Sequence, residues 1–346
     1  MSAMEEHAPP LALTMGEPGG VGLRLALPAW RRLHRSGPAF CLLADPALLR
    51  ARAARCGVDD VPLRDVTDIG QAARVFRDAL PVLALSGYEN LPDRPGEARP
   101  DTAAAVLAAI DNAVALTLRG AASGVVTLPI QKEALYAAGF SHEGHTDHLA
   151  ALARQAGHDA TPVMMLSAAD LRTVPVTVHV ALADVPARLS EDAIVAQGRV
   201  LARDLNRFFA VGHPRIAVAA LNPHAGEGGR MGSEERTIIT PAIERLKAAG
   251  IDATGPHPAD TLFHEDARGG YDACLCMYHD QALIPVKTLD FHGGVNVTLG
   301  LPFVRTSPDH GTALDLAAGG AARADSLINA LRLAARMAAA ERARAS

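Results

Sequence analysis

Residues 274–281 read CLCMYHDQ, a short apolar run that stops at a tyrosine, a histidine and an aspartate. A run of this length bounded by polar residues is β-type, and the polar pair marks where a strand gives way to the next element. The pattern recurs in LALTM (11–15), FCLLA (40–44), VLALS (82–86), GVVTL (124–128), VMMLS (163–167), VPVTVHVAL (174–182) and IAVAALN (216–222). Between these runs lie Ala/Leu-rich stretches with apolar residues at helical spacing, among them Thr102–Arg119, Glu191–Phe209 and Glu234–Ala249. The last follows Ser233 and has an acidic first turn, a helix-start signal. Alternating strands and helices specify an α/β protein.

With 346 residues the chain exceeds the size at which one core keeps growing, so two domains with a cleft between them are expected. The 49% hydrophobic and 21% charged content is that of a globular enzyme. A net charge of −5 gives no general attraction to nucleic acid or anionic membrane. The acidic opening MSAMEEHAPP lacks a basic-then-apolar leader, and no uninterrupted apolar run spans a bilayer, so a cytoplasmic location is expected. Cys41, Cys56, Cys274 and Cys276 form no C-x-x-C pair and read as reduced, buried small hydrophobes. Residues 87–100, rich in Pro, Gly and charge, read as an exposed loop, and the Ala/Arg-rich C-terminus reads as a surface helix that frays.

Three of the fourteen histidines, His179, His224 and His279, sit at or just after strand-like runs. Ligands of open α/β sheets gather beyond the carboxyl ends of strands, so these imidazoles are candidates to converge on a divalent ion. Each taken alone reads more readily as an ordinary histidine, since a metal site needs several ligands together. Asp280 beside His279, and Asp260 in GPHPADT, offer carboxylates to ligate the ion or to orient an imidazole; a surface turn and a helix cap are their bland alternatives. The loop NPHAGEGG supplies glycines and free amides around His224. Lys287, Asn296, Arg305 and His310 fall within a short span and interrupt apolar runs, a combination suited to a phosphate or carboxylate. His145 and Thr146 in GHTDHLA offer a similar role at a helix start. The Gly-rich turn MGEPGGVG (15–22) matches neither the dinucleotide fingerprint nor the P-loop, and is expected to line a cleft.

Taken in order, TMGEPGGVG, GHTDHLA, LRTVPVTVHVAL, LNPHAGEGG, GPHPADT, CMYHDQALIPVKTLDF and GVNVTLGLPFVRTSPDHGTALD resemble the signature of the PdxA family, from about Leu11 to about Leu333. The resemblance implies a two-domain fold of the isocitrate and isopropylmalate dehydrogenase type with its active site in the cleft. Domain one would hold residues 1–139 and 295–346. Domain two, residues 140–294, would carry the metal site and the dimer interface. It further implies a divalent metal (zinc, magnesium or cobalt) on His179, His224 and His279, and substrate contacts from His145, Thr146, Lys287, Asn296 and Arg305. The implied partners are NAD or NADP and a second copy of the chain, with the active site at the interface of the homodimer. The implied reaction is oxidation and decarboxylation of 4-phosphooxy-L-threonine to 3-amino-2-oxopropyl phosphate, in pyridoxal phosphate biosynthesis. Rival readings are a related metal-dependent dehydrogenase of another phosphorylated hydroxy acid or a cis-dihydrodiol, and a non-catalytic metal- or phosphate-binding protein. The chain departs from the family pattern at Leu23-Arg24, Leu128, Asp147-His148 and Ala317-Ala318.

Overall fold

The computed structural model describes residues 8–142, 144–319 and 322–345. Residues 1–7, which carry much of the leader reading, lie outside them. The chain divides into two compact units, one running to Pro162 with Leu301–Ala339, the other Val163–Gly300 with the residues from Ala340 on. These divisions stand beside the expected ones after residues 139 and 294.

The strands in chain order are β1 (Leu11–Thr14), β2 (Phe40–Leu43), β3 (Leu63–Val66), β4 (Leu80–Leu83), β5 (Val125–Val126) and β6 (Val163–Ala168). They continue with β7 (Leu171–Thr177), β8 (Arg215–Ala219), β9 (Asp252–His257), β10 (Ala273–Tyr278), β11 (Val295–Leu299) and β12 (Arg305–Pro308). The first unit has the order β3-β4-β2-β1-β5-β12 with parallel pairing throughout. All of β1 and β2 is buried, which is why both read as nearly continuous apolar runs. The chain leaves β1 toward β2 on one side and places β5 on the other, so the crevice beyond these strands is a topological switch point.

The helix Ala103–Leu118 packs on β1 through a face that includes Val106, Ala109, Ile110 and Ala113. With its preceding turn, Pro100–Leu118 is long and apolar enough to cross a membrane by length and composition, but half of it is buried in the protein, as in a core helix. The C-terminal helix Asp325–Ala345 departs from expectation. Leu327, Ile328, Leu331, Ala334 and Met337 are buried, and Thr306 Oγ1 donates to Ala330 O at 3.0 Å, so this is a core element. Its many alanines and arginines concealed an apolar stripe at helical spacing.

In the second unit the order is β11-β6-β7-β10-β8-β9. β6 runs antiparallel to both neighbours, whereas β7, β10, β8 and β9 are parallel. The helix Glu191–Phe209 has the expected bounds. Ser190 caps it by accepting from Ala193 N at 3.2 Å, and Ile194, Leu201, Leu205 and Phe208 form its buried face. The expected helix over 234–249 begins instead as a π-helical turn, Glu235–Ile239, before Thr240–Ala248. Its first residue, Glu235, turns its carboxylate inward, as described below.

Cys41, Cys274 and Cys276 are buried and free, as expected; Cys56 is free but only half-buried. Burial pushes the Cys41 thiol up to about 12, so it stays protonated. The 87–100 segment contains no strand or α-helix, yet it is pinned to the Gly-rich turn. Fully buried Arg52 binds Asp93 at 2.7 Å and the carbonyls of Pro18 at 2.7 Å and Gly20 at 3.1 Å, and Gly96 N donates to Gly19 O at 2.8 Å. A side chain at Gly19 would put its Cβ 1.9 Å from the Glu97 carbonyl oxygen, so glycine is required there by close approach.

Candidate functional site

Two groups of polar residues stand at strand ends, one in each unit. In the first unit, β12 opens with Arg305, which is 4% exposed; its Nη2 donates to Thr127 Oγ1 at 2.6 Å. Burial lowers the guanidinium pKa to about 10, which leaves it charged at neutral pH. His145 and Thr146 open the helix His145–Gln155, whose free amide groups favour an anion. Burial holds the His145 imidazole well below its usual pKa, and the positive charges of Arg305, His148 and Lys132 push the same way. Its Nε2 and that of His310 are buried with no hydrogen-bond partner among the described residues. A neutral imidazole with a buried nitrogen, beside a desolvated guanidinium and a helix start, is a cradle for an anion.

From sequence, His148 stands out only as part of the Asp147-His148 departure from the family pattern. Its Nε2 lies 2.7 Å from Asp111 Oδ1, and its ring packs edge-on to Phe140 with centroids 5.4 Å apart. Asp111 is distant in sequence, and no local signal could have found it. Glu17 of the Gly-rich turn is also buried; burial raises its carboxyl pKa, while the Gly19 amide, 3.1 Å away, pulls the other way. Leu128 packs against the same turn: a Cβ on Gly16 would lie 2.7 Å from Leu128 Cβ. Leu23 is buried, and Arg24 Nη1 donates to Leu316 O at 3.3 Å.

The second unit carries the three histidines. His179 lies two residues past β7, His279 directly follows β10, and His224 lies in the loop after β8, so they leave three adjacent parallel strands at the same edge. The His179 and His279 ring centroids are 6.0 Å apart. Two imidazoles sharing a tetrahedral ion through nitrogens at about 2.0–2.1 Å would have centroids roughly 5 Å apart. Asp280 Oδ1 lies 2.7 Å from His279 Nδ1, which leaves Nε2 as the outward-facing nitrogen. Asp260 is exposed in the turn Ala259–Thr261 after β9. Among the described residues no group of three or more His, Cys, Asp or Glu is close enough to hold a metal. The donors fit a borderline divalent ion in chemistry, and within one chain two of them stand together.

The backbone at this edge is strained. His179 has φ 48°, and His224, Ala225, Gly226, Glu227 and Gly228 have φ 51°, 53°, 78°, 43° and 64°. Non-glycine residues rarely adopt this left-handed region, and such outliers cluster at ligand sites. Glu235 holds the loop in place: its Oε1 accepts from Leu221 N at 3.0 Å and Asn222 N at 2.7 Å, and its Oε2 from Asn222 Nδ2 at 3.0 Å. Gly226 is needed beside it, since a Cβ there would lie 2.7 Å from Glu235 Oε2. A cavity of about 270 Å³ opens against Ala225, Gly229, Glu235 and Pro256.

Lys287 and Asn296 are half-buried in the second unit, on the helix His279–Leu289 and on β11. Lys287 Nζ lies 5.4 Å from the Phe291 ring centroid.

Histidines at the carboxyl ends of neighbouring parallel strands, and a buried arginine at the start of β12, define an α/β protein with ligand-type side chains at its strand ends. The chain belongs to the family of pyridoxal phosphate biosynthetic protein PdxA, whose model matches residues 37–334. A Caulobacter vibrioides protein named 4-hydroxythreonine-4-phosphate dehydrogenase is 52% identical over 332 residues, 95% of this chain and 98% of that protein. The crystal structure of a 4-hydroxythreonine-4-phosphate dehydrogenase from Klebsiella pneumoniae superposes with a TM-score of 0.83 at 35% identity, covering 96% of this chain and 100% of that one. A terephthalate 1,2-cis-dihydrodiol dehydrogenase from Burkholderia xenovorans gives 0.62 at 27% identity, covering 95% of this chain and 98% of that one. The chain is thus an oxidoreductase of a family in pyridoxal phosphate biosynthesis.

Proposed function

We propose that the chain oxidises and decarboxylates 4-phosphooxy-L-threonine to 3-amino-2-oxopropyl phosphate, with NAD or NADP as hydride acceptor and a divalent metal (zinc, magnesium or cobalt) on His179, His224 and His279. The observation that carries this reading is the exit of these three histidines from adjacent parallel strands β7, β10 and β8 at one edge, two of the rings 6.0 Å apart. The relatives named for this activity support the substrate.

A bound divalent metal supplies Lewis acidity to the substrate's alcohol and to the carbonyl that replaces it. The protein's own groups do the rest. Asp280 fixes the His279 ring so that Nε2 is presented as a lone-pair donor. Arg305 offers a buried planar fork and His145 a neutral ring whose Nε2 is buried. Thr146 adds the start of its helix. Lys287 and Asn296 rest on their sequence setting and the family resemblance, and the supporting role of Asp260 on its sequence setting.

A homodimer completes this reading. The elements around the histidines expose Leu182 (69%), Ile284 (62%) and Phe291 (69%), together with Val178 and Met231. Large apolar side chains left this exposed are candidates for burial against a second copy. Dilution until the copies separate should remove activity, read by sedimentation and assay at matched concentrations. A fully active monomer would break the shared-site reading.

The cis-dihydrodiol alternative has one structural relative in its favour. The buried Arg305 guanidinium favours a substrate that carries an anionic group, and the phosphate of 4-phosphooxy-L-threonine supplies one. NAD reduction measured with 4-phosphooxy-L-threonine and with a cis-dihydrodiol, before chelation, after it and after metal return, tests the proposal. Turnover of the phosphorylated substrate that is lost and regained with the metal is expected. Metal-independent turnover, or turnover of the diol alone, would overturn it.

A further inference from the structure

A buried chain of hydrogen bonds crosses the sheet just beneath the three histidines. Thr177 Oγ1, on β7, donates to Met277 O on β10 at 2.8 Å. Met277 N donates to Gln281 Oε1 at 2.6 Å, and Gln281 Nε2 donates to Ala220 O, just beyond β8, at 2.7 Å. Thr177 and Gln281 are each 7% exposed, Met277 is fully buried and Ala220 is 1% exposed. The anchor points are two residues before His179, two before His279 and four before His224.

The Thr177 bond adds to the β7–β10 ladder, which runs to Tyr278 opposite Thr177, whereas the Gln281 bonds act where the β10–β8 ladder has ended. The registered pairing of β10 with β8 stops at Leu275 opposite Val218. Beyond it the Met277 amide and the Ala220 carbonyl have no ladder partner in each other, and the Gln281 carboxamide fills the gap, one end to each strand. Gln281 also sits on the same helix turn as His279. Half of its work resembles a helix cap, since a Gln near a helix start commonly reaches back to a backbone amide. The other half does not: the bond to Ala220 contributes nothing to starting that helix and everything to where the His224 loop begins.

We propose that Gln281, assisted by Thr177, is a positioning residue that sets the spacing of the three imidazole-bearing strand ends and so the affinity and geometry of the metal site. This rests on the metal reading above. Loss of outer groups that orient metal ligands typically costs 10–100-fold in affinity. Gln281→Met removes both bonds at similar volume, while Gln281→Glu keeps an acceptor for Met277 N and removes the donor to Ala220 O.

The test uses the full-length chain and Co²⁺ or Zn²⁺ alone. Equilibrium competition with a chelator gives metal affinity, the Co²⁺ visible spectrum reports geometry, and thermal unfolding of the metal-free protein checks the fold. Both Gln281 variants should bind Co²⁺ about 10–100-fold more weakly with an altered spectrum. A folded Gln281→Met variant with unchanged affinity and spectrum would overturn the proposal. If that variant does not fold, Thr177→Val decides the matter: it should weaken binding, and Thr177→Ser, which keeps the hydroxyl, should restore it. Equal affinity in those two would also overturn it. His279→Ala separates the two levels: if it binds metal like the unaltered chain, the histidine reading itself fails and the positioning role falls with it.

Discussion

In the first unit the anion-facing atoms are buried, whereas in the second unit two of the three imidazoles stand in water. Arg305 is 4% exposed and His145 has a buried Nε2, while His179 and His224 are exposed and their backbones take left-handed angles. Desolvated donors bind an anion with little reorganisation but tolerate few alternatives. Exposed imidazoles bind nothing by themselves; they become a site when a cation draws them together. Strain is also divided unequally. The first unit spends its buried polar groups on holding a turn, through Arg52, and the second on holding a left-handed loop, through Glu235.

The largest test of this contrast is removal of an imidazole. His224→Ala, and likewise His179→Ala or His279→Ala, should lower turnover by more than about 100-fold, beyond what loss of an outer partner costs. Because the rings of His179 and His224 are exposed, the fold should survive. His224→Asn is the cleaner variant, since Asn tolerates the left-handed backbone. Circular dichroism and metal content measured beside activity check it. Activity within a few-fold of the unaltered chain, with metal content unchanged, would make these ordinary surface histidines.

In the first unit the matching change is Arg305→Lys. A point charge replaces a fork able to hold two oxygens, in a place where water cannot compensate. Affinity for the phosphorylated substrate should fall at least about tenfold, or roughly 1.4 kcal/mol, with NAD affinity changed much less. Separate titrations of substrate and NAD distinguish this from a structural ion pair, which would leave phosphate binding unaltered.

A smaller effect belongs to the loop. Gly226→Ala introduces a Cβ 2.7 Å from Glu235 Oε2 at φ 78°. It should cost about 1–2 kcal/mol of stability for the left-handed residue alone. Urea denaturation reads this, and an unchanged midpoint would mean that the loop relaxes without cost.

Much of the architecture was legible because parallel strands buried on both faces leave continuous apolar runs, as in CLCMY and FCLLA. The C-terminal helix reads as a surface element because Arg and Ala dilute its apolar stripe, although Leu327, Ile328, Leu331 and Met337 carry it. The strand-end positions of His179, His224 and His279 were readable from local pattern. Their supports were not: Glu235 looked like an acidic first-turn residue, and Asp111, which holds His148, is 37 residues away in sequence. Local pattern names the residue that faces a ligand. Partners brought in by tertiary packing leave no periodic trace.

The smallest expected effect separates the two units by proton linkage. Burial, and then Arg305, His148 and Lys132, hold the folded-state pKa of His145 well below 6.5. The unfolded chain therefore takes up a proton near pH 6.5 that the folded chain refuses. The stability associated with this residue is fully present above that pH and is lost as the pH falls below it, toward the folded-state value. One proton limits the slope to about 1.4 kcal/mol per pH unit. His145→Gln should flatten the acid limb of a stability profile by up to that much and leave the limb above neutrality unchanged. A bound phosphate reverses the local sign, because a negative charge beside an imidazole favours its protonated form. Inorganic phosphate should then bind with net proton uptake below pH 6.5, read by calorimetry in buffers of different ionisation enthalpy, and the variant should lose that uptake. Equal uptake in both proteins would move the proton elsewhere and remove His145 from the anion cradle, leaving Arg305 and the helix start to hold the phosphate.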